Sequence, residues 1–438
     1  MPSFRSLFQT ACVLGVGLII PASGFAQDHD PFEDPPINYS KAVPVDAATK
    51  LNEAFRLKAD EIRSWPARKR LRWLLEQLDI PVESQLLVFS KTSIQRKIIS
   101  PENPRVLFFS DEAYVGWVPG GAMELAVFDP TIGPTFYILD AQESGPAPLL
   151  ARSGECLLCH KRHEHTPGLR TRSVFPDANG EPLSGSGSAN IEPSTPLADR
   201  WGGWYVTGVE GTLRHRGNVT GKTTEEFDIP GAKMSPALST LKDFFDTHRY
   251  PLQTSDIVPM LMHDHQVHVH NVLATANQDA RLALYRWPAM RAILGLPANA
   301  PPSGSCLVVF NSQAEKVLDA LLCRDEAPFP AEGIRGNGIF EPAYARTRKP
   351  DTKNRSLRDL DLTTRLFQFR CSPLIYSQSF AALPKELRDI ILLKLSAGLQ
   401  AAEPPASFKH LPKEERQAIF EIIAATLPNL PVGWKQSE

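Results

Sequence analysis

Apolar and polar positions follow two different periods in the first third of the chain. Between Lys50 and Leu78, apolar side chains recur every three or four residues, with a break at Pro66, which predicts amphipathic helices. Residues 86–139 instead hold short apolar and aromatic runs separated by Pro and Gly, which predicts a small antiparallel sheet. These runs are Leu86–Phe89, Val106–Phe109, Tyr114–Val118, Leu125–Phe128 and Phe136–Leu139.

From Ser255 to the end of the chain, the helical period dominates. Two helices are expected to begin with proline, because the first N–H group of a helix has no partner inside the helix. We expect Gly398 to end the first of these two helices. The predicted helices span residues 256–296, 313–322 and 356–367, and two more begin at Pro384 and Pro412.

Residues 151–250 follow neither period. They are rich in Gly, Ser, Arg and His, and Gly203–Thr207 is a strand-like run among them. Such a segment cannot form an ordinary core from its own side chains, but a large apolar prosthetic group would supply one. The pattern predicts an α+β fold with a mixed helix and sheet region over 27–150, a loop-rich region over 151–250 and a mainly helical region over 251–438.

The first residues have the pattern of a secretory signal peptide. Arg5 is positive, residues 11–20 are apolar, and small residues at Gly24–Ala26 precede a cleavage point at Gln27. The alternative is a retained anchor helix, but a membrane span needs roughly 20 apolar residues and this run is shorter. The mature chain is therefore expected to be periplasmic or otherwise exported, with no membrane span.

The charge balance bears on the expected partners, and the cysteine content bears on possible disulfides. The chain has 47 Lys plus Arg and 49 Asp plus Glu without a basic stripe, so nucleic acid is not an expected partner. Cys12 leaves with the signal peptide, and Cys306, Cys323 and Cys371 form an odd set outside the closest cysteine pair. Two of the three could pair in an oxidising compartment, or all three could be buried as small apolar side chains.

The sequence Cys156-Leu157-Leu158-Cys159-His160 is the attachment motif of c-type haem. The two thiols add across the two vinyl groups of haem, and two intervening residues place both sulfurs on one face of a helical turn. The adjacent histidine then supplies an axial nitrogen to the iron. Because the motif occurs once, the sequence predicts one covalent haem c.

Other chemistries of a close cysteine pair fit less well. A zinc site needs two further ligands, and His163 and His165 are too close together to form a separate pair across a finger loop. A thioredoxin-type pair follows a buried strand, whereas Arg152-Ser153-Gly154-Glu155 stands here. A structural disulfide is the third alternative.

A low-spin haem iron needs a sixth ligand, usually His or Met. We favour His215, because Gly211 and Gly217 lie close to it in sequence and basic residues lie directly beside it. Met234, the pair His265 and His270, or no protein ligand are the alternatives. The run of histidines at 263, 265, 268 and 270 could also bind zinc or copper, or form a solvated face.

Residues that surround the motif could hold the rest of the haem. Arginine matches the carboxylate of a haem propionate, and aromatic rings could pack on the porphyrin. From this set, Arg172, Arg200 and Trp201 are the chosen cofactor-binding residues. Ordinary ion pairs and an aromatic core are the alternative. The full set is Arg170, Arg172, Arg200, Arg214, Arg216, Trp201, Trp204 and Tyr205.

The motif resembles that of the c-type cytochromes. Over roughly residues 85–400, the chain resembles a poorly characterised family of large, exported, single-haem cytochrome c-domain proteins. Besides the motif, the resemblance rests on Asp199–Gly208, His215–Asn218, His265-Gln266, His270-Asn271 and Arg355–Leu362. It implies haem binding and electron transfer, without an established substrate.

The leading hypothesis is a monohaem c-type cytochrome that takes electrons from a redox partner protein or a quinol-linked donor. A haem-dependent oxidoreductase, either peroxidase-like or oxidising a small molecule, is the first alternative, and a haem-based sensor is the second. A simple carrier needs only one small domain, which favours the enzyme somewhat. The coordination of the iron distinguishes them, because an open site favours catalysis or sensing.

Overall fold

The computed structural model confirms the α+β class, with a seven-stranded antiparallel sheet in the N-terminal part and a mainly helical C-terminal half. The signal peptide, like His163 and His165, lies outside the described residues, so it stays a prediction. The structure describes residues 30–139, 150–161, 166–183, 188–229 and 231–434.

The five predicted apolar runs are confirmed as neighbouring strands β1 to β5 of the main sheet, in the order β6-β5-β4-β3-β2-β1-β9. Both edge strands come from the loop-rich region, and β9 falls within the strand-like run Gly203–Thr207. Strands β7 and β8 form a separate pair. The strands are β1 (Leu86–Val88), β2 (Arg105–Phe109), β3 (Ala113–Trp117), β4 (Met123–Asp129), β5 (Gly133–Leu139), β6 (Ala151–Arg152), β7 (Arg172–Val174), β8 (Ser188–Asn190) and β9 (Trp204–Tyr205).

The long helix α6 is confirmed, and Asp256 caps it by accepting a hydrogen bond of 2.9 Å from the N–H of Val258. The N-terminal helical segment divides into three helices, the third of which begins just after Pro66. The helices are α1 (Ala47–Leu57), α2 (Ala59–Ser64), α3 (Ala67–Gln77), α4 (Leu157–His160), α5 (Glu225–Asp228), α6 (Ile257–Ile293), α7 (Ser305–Leu321), α8 (Phe340–Ala345), α9 (Gln378–Ala381), α10 (Lys385–Gln400) and α11 (Lys413–Thr426).

Two of the helix predictions are wrong. Residues 356–367 form turns, because the Asp361 carboxylate accepts hydrogen bonds from the N–H groups of Thr363 and Thr364 at 2.7 and 2.8 Å. Such a local side-chain bond competes with the helical pattern. Gly398 does not end α10 but lies inside it, where the ring of Phe408 packs so closely that an added Cβ would be 2.4 Å away.

The main sheet has two buried faces. One packs against α1 and α3, and the other packs against α6 and the segments around the cysteine motif. A third core joins α6, α7, α10 and α11, and it contains Cys306 and Cys371 as free thiols. Cys323 is also buried and free. Among the described residues, no helix combines the length and the apolar character needed to cross a bilayer.

Candidate functional site

The cysteine motif forms the single helical turn α4, in which the N–H of His160 donates to the carbonyl of Cys156 at 3.0 Å. Residues three apart on a helix share a face, so Cys156 and Cys159 point the same way. Both thiols and His160 line one cavity. The structure therefore brings the three motif side chains together as the sequence predicts.

The imidazole of His160 is held with one nitrogen available. Its Nδ1 lies 2.7 Å from the carbonyl oxygen of Gly168, which can only accept, so Nδ1 carries the proton. The ring of Phe136 packs against it, tilted by 32°, with centroids 4.4 Å apart. Burial lowers the pKa of His160 and favours the neutral ring. A neutral imidazole oriented through Nδ1 is the form that binds a metal through Nε2.

The cavity lies between α4, α6 and one face of the main sheet. The cavity is open to solvent on one side, and the residues that line it come from the sheet, from α4 and the segment after it, and from α6. Side chains alternate along a strand, and the residues directed to this face are Val88, Arg105, Leu107, Tyr114, Glu124, Ala126, Phe136 and Trp204.

An ion pair crosses the cavity floor. Arg105 on β2 pairs with Glu124 on β4, and Ser93 and Gln95 also donate to the Glu124 carboxylate. Burial alone would raise the pKa of Glu124, but Arg105 and the two hydrogen bonds lower it overall, so the carboxylate is charged. The sequence pattern does not indicate this pair, because Arg105 lies 19 residues from Glu124 and only sheet pairing brings them together.

The segment after α4 forms a wall of the cavity and is fixed to α6. Leu169 donates its N–H to Oδ1 of Asn271 at 2.8 Å and accepts from Nδ2 of the same side chain at 3.0 Å. These two hydrogen bonds fix the backbone beside Gly168, whose carbonyl accepts from His160. The same wall carries Arg170 and Arg172 into the lining of the cavity.

Of the predicted cofactor-binding residues outside the motif, Arg172 lines the cavity, whereas Arg200 and Trp201 do not. Both of the latter are buried and bind the carboxylate of Asp264 on α6. The guanidinium of Arg200 lies 3.2 Å from Oδ2, and the indole N–H of Trp201 donates to the same atom at 3.0 Å. Asp264 is distant in sequence from both residues, so the sequence pattern could not indicate this pairing.

The structure does not bring His215 to this cavity. His215 lines a separate small cavity, where its Nδ1 accepts from the N–H of Gly217 at 3.1 Å and its Nε2 has no partner among the described residues. Met234 is half-buried and is also absent from the lining of the main cavity.

His265 and His270, the other histidines considered as ligands of the iron, are each hydrogen-bonded at both ring nitrogens. His265 contacts Glu326 and Ser372, each at 2.8 Å. His270 accepts from the hydroxyl of Tyr114 at 2.8 Å and donates to a backbone carbonyl at 3.0 Å. These contacts satisfy both imidazoles without a metal. His265 also forms a cluster with Cys323 and Glu326, whose possible ligand atoms lie within 4.8 Å of one another.

One histidine of the run on α6 does line the main cavity. His263 is 5 % exposed, and its Nδ1 is buried without a hydrogen-bond partner among the described residues. In the sequence it is one of four closely spaced histidines on a helix, and nothing local distinguishes it from the others. Only the packing of α6 against the sheet shows which histidine faces the cavity.

The protein should lose stability as the pH falls, because two of its histidines are buried in their neutral form. Burial lowers the pKa of His215 and of His270 to about 3, whereas both rings titrate near 6.5 in the unfolded chain. As the pH falls below about 6.5, these two histidines take up protons in the unfolded chain but not in the folded one. The stability present above pH 6.5 is therefore lost progressively as the pH falls towards 3. Each histidine contributes a loss of about 2 kcal/mol by pH 5. Denaturant titrations at pH 7.5 and 5 measure the loss, and His215→Asn should reduce it.

No family model, no curated protein sequence and no solved structure matches the chain. The function is therefore inferred from the residues of the site and their geometry.

Proposed function

We propose that this chain is an exported monohaem c-type cytochrome that transfers electrons through one covalently attached haem. The observation that carries the proposal is that Cys156, Cys159 and His160 line one cavity, with Nδ1 of His160 bonded to the carbonyl of Gly168. The motif has the spacing of the haem attachment sequence, and the shared cavity supports the proposal because it turns the two thiols and the imidazole to the same side.

The residues of the cavity fit the parts of this cofactor. The thiols of Cys156 and Cys159 would hold the haem by adding across its two vinyl groups, the S–H bond giving way to a C–S and a C–H bond, so that no oxidant would be needed. His160 would bind the iron through its imidazole nitrogen. When bound, the haem supplies a one-electron Fe(III)/Fe(II) couple. Arg105, Arg170 and the other lining cations offer donors for the propionates.

The placement of the motif supports electron transfer to or from a partner. Cys159 is exposed, and Leu158 beside it is 88 % exposed, so this edge of the cavity opens to the surface. An exposed apolar side chain next to the attachment point is a suitable contact for a redox partner protein or a quinol-linked donor. An enzyme or a sensor would use the same haem with an open coordination position.

The test is covalent attachment in cells that possess the machinery for c-type haem. The denatured full-length protein should keep its colour, and its pyridine haemochrome should show thioether-linked haem. Cys156→Ala and Cys159→Ala should each leave one thioether or abolish attachment. Leu158→Ala is the matched control, because it lies in the same turn but points to solvent, and it should bind haem normally. Extraction of all colour into acidified organic solvent would contradict the proposal.

A further inference from the structure

We infer that His263 of α6 is the second axial ligand of the iron, opposite His160. The inference rests on the proposed haem. His263 and His160 line the same cavity, although they lie on different elements and 103 positions apart in sequence. This assignment replaces His215, which lines another cavity.

The two imidazoles stand over the ends of one row of side chains on the sheet. Phe136, Ala126 and Tyr114 are direct cross-strand neighbours on β5, β4 and β3. The ring of His160 lies 4.4 Å from that of Phe136, and the ring of His263 lies 5.8 Å from that of Tyr114. Only the methyl group of Ala126 lies between the two aromatic residues, so the middle of the row is left free for a flat cofactor.

The ring of His263 is fixed by its neighbours rather than by hydrogen bonds. Phe109, Tyr114 and Trp204 surround it with ring centroids 5.5, 5.8 and 5.9 Å away. A buried polar nitrogen without a partner is uncommon in a folded protein and calls for an explanation. An iron atom in the cavity would give this imidazole a polar partner that its aromatic neighbours do not provide.

A carboxylate lies near His263, although the two do not form a hydrogen bond. Nδ1 of His263 lies 3.9 Å from Oδ1 of Asp264, while Oδ2 of Asp264 is held by Arg200 and Trp201. The distance is too long for a hydrogen bond, so Asp264 acts on the imidazole only as a nearby negative charge. Arg200 and Trp201, predicted to touch the cofactor, instead hold this carboxylate beside the cavity.

The other candidate ligands have different environments. His265 and His270 are hydrogen-bonded at both nitrogens, so binding iron would break an existing contact. His215 has an unpartnered Nε2, as His263 has an unpartnered Nδ1, but its cavity holds neither the cysteines nor His160. Cavity sharing therefore selects His263.

The absorption spectrum of the full-length protein with its haem tests the inference. The wild type should be six-coordinate and low-spin in both oxidation states. His263→Ala should become high-spin and bind carbon monoxide readily, and added imidazole should restore the low-spin spectrum. His263→Met should stay six-coordinate with a higher reduction potential, because a thioether favours the reduced iron relative to an imidazole. His268→Ala is the matched control on the same helix, because His268 lies outside the cavity lining.

The outcomes separate this inference from the proposed function. A low-spin spectrum in His263→Ala without imidazole, or a high-spin wild type, would overturn the role of His263 while leaving haem attachment intact. Conversion to high spin by His215→Ala or Met234→Ala, with His263→Ala unchanged, would assign the ligand elsewhere. A wild type without covalent haem would overturn both proposals.

Discussion

Replacing Asp264 with alanine should lower the free energy of unfolding by about 3–5 kcal/mol, the usual cost of breaking a buried ion pair by removing one partner. Asp264 and Arg200 have side chains only 5 % and 6 % exposed, so the remaining guanidinium would lose its counter-charge without gaining water. The indole N–H of Trp201 would lose its acceptor as well. Chemical denaturation of the full-length protein measures the loss.

A double-mutant cycle distinguishes the ion pair from simple loss of packing. The double variant Arg200→Met with Asp264→Leu removes both charges and keeps apolar volume. It should therefore lose less free energy of unfolding than the two single variants lose in sum. Lys353→Ala is an exposed control, since surface ion pairs such as the one with Glu421 contribute about 0–1 kcal/mol. Additive single changes would show that Arg200 and Asp264 do not stabilise one another.

The second large effect is expected at Gly203, at the start of edge strand β9. Its φ is +81°, and an added Cβ would lie 2.5 Å from the Cβ of Ser90 and 2.7 Å from a methyl group of Val174. Its carbonyl also accepts from the N–H groups of Phe89 and Ser90 at 2.9 and 3.0 Å, which fixes the strand against β1. Gly203→Ala therefore combines backbone strain with steric overlap.

Gly120 provides the matched control, because its φ is +90° but an added Cβ would meet nothing within 4 Å. Gly120→Ala should cost about 1–2 kcal/mol from the left-handed backbone alone. Gly203→Ala should cost about 1–3 kcal/mol more, because the new methyl group overpacks the junction. Equal melting temperatures for the two variants would mean that β9 can move away from β1 without loss.

The sequence predicts local structure well where the hydrophobic pattern and the local bonds agree. Strands β1 to β5 follow from short apolar runs between turn residues, and the helix predicted over residues 256–296 corresponds to α6. The pattern fails where a short-range polar bond or a distant side chain competes with it. Asp361 turns the chain at a predicted helix, and Phe408 fills the space beside Gly398 within α10.

In the candidate site too, some contacts are local in sequence and others are distant. Cys156, Cys159 and His160 are neighbours in sequence, so one helical turn is enough to bring them together, and their spacing was readable without a structure. The support for His160 is partly distant, because Asn271 of α6 anchors the segment that holds Gly168. The local motif thus supplies the residues of the proposed haem attachment, while a long-range contact orients the segment that holds His160.

What the sequence determined by itself is the α+β class, most of the strands and helices, and the motif whose three side chains share one face of a turn. The tertiary structure decided which residues surround that motif. His263 faces the cavity while His215 does not, and Arg200 pairs with Asp264 instead of lining it. These outcomes depend on how α6 packs across the sheet, and residues far apart in sequence meet only when that packing buries their shared apolar faces.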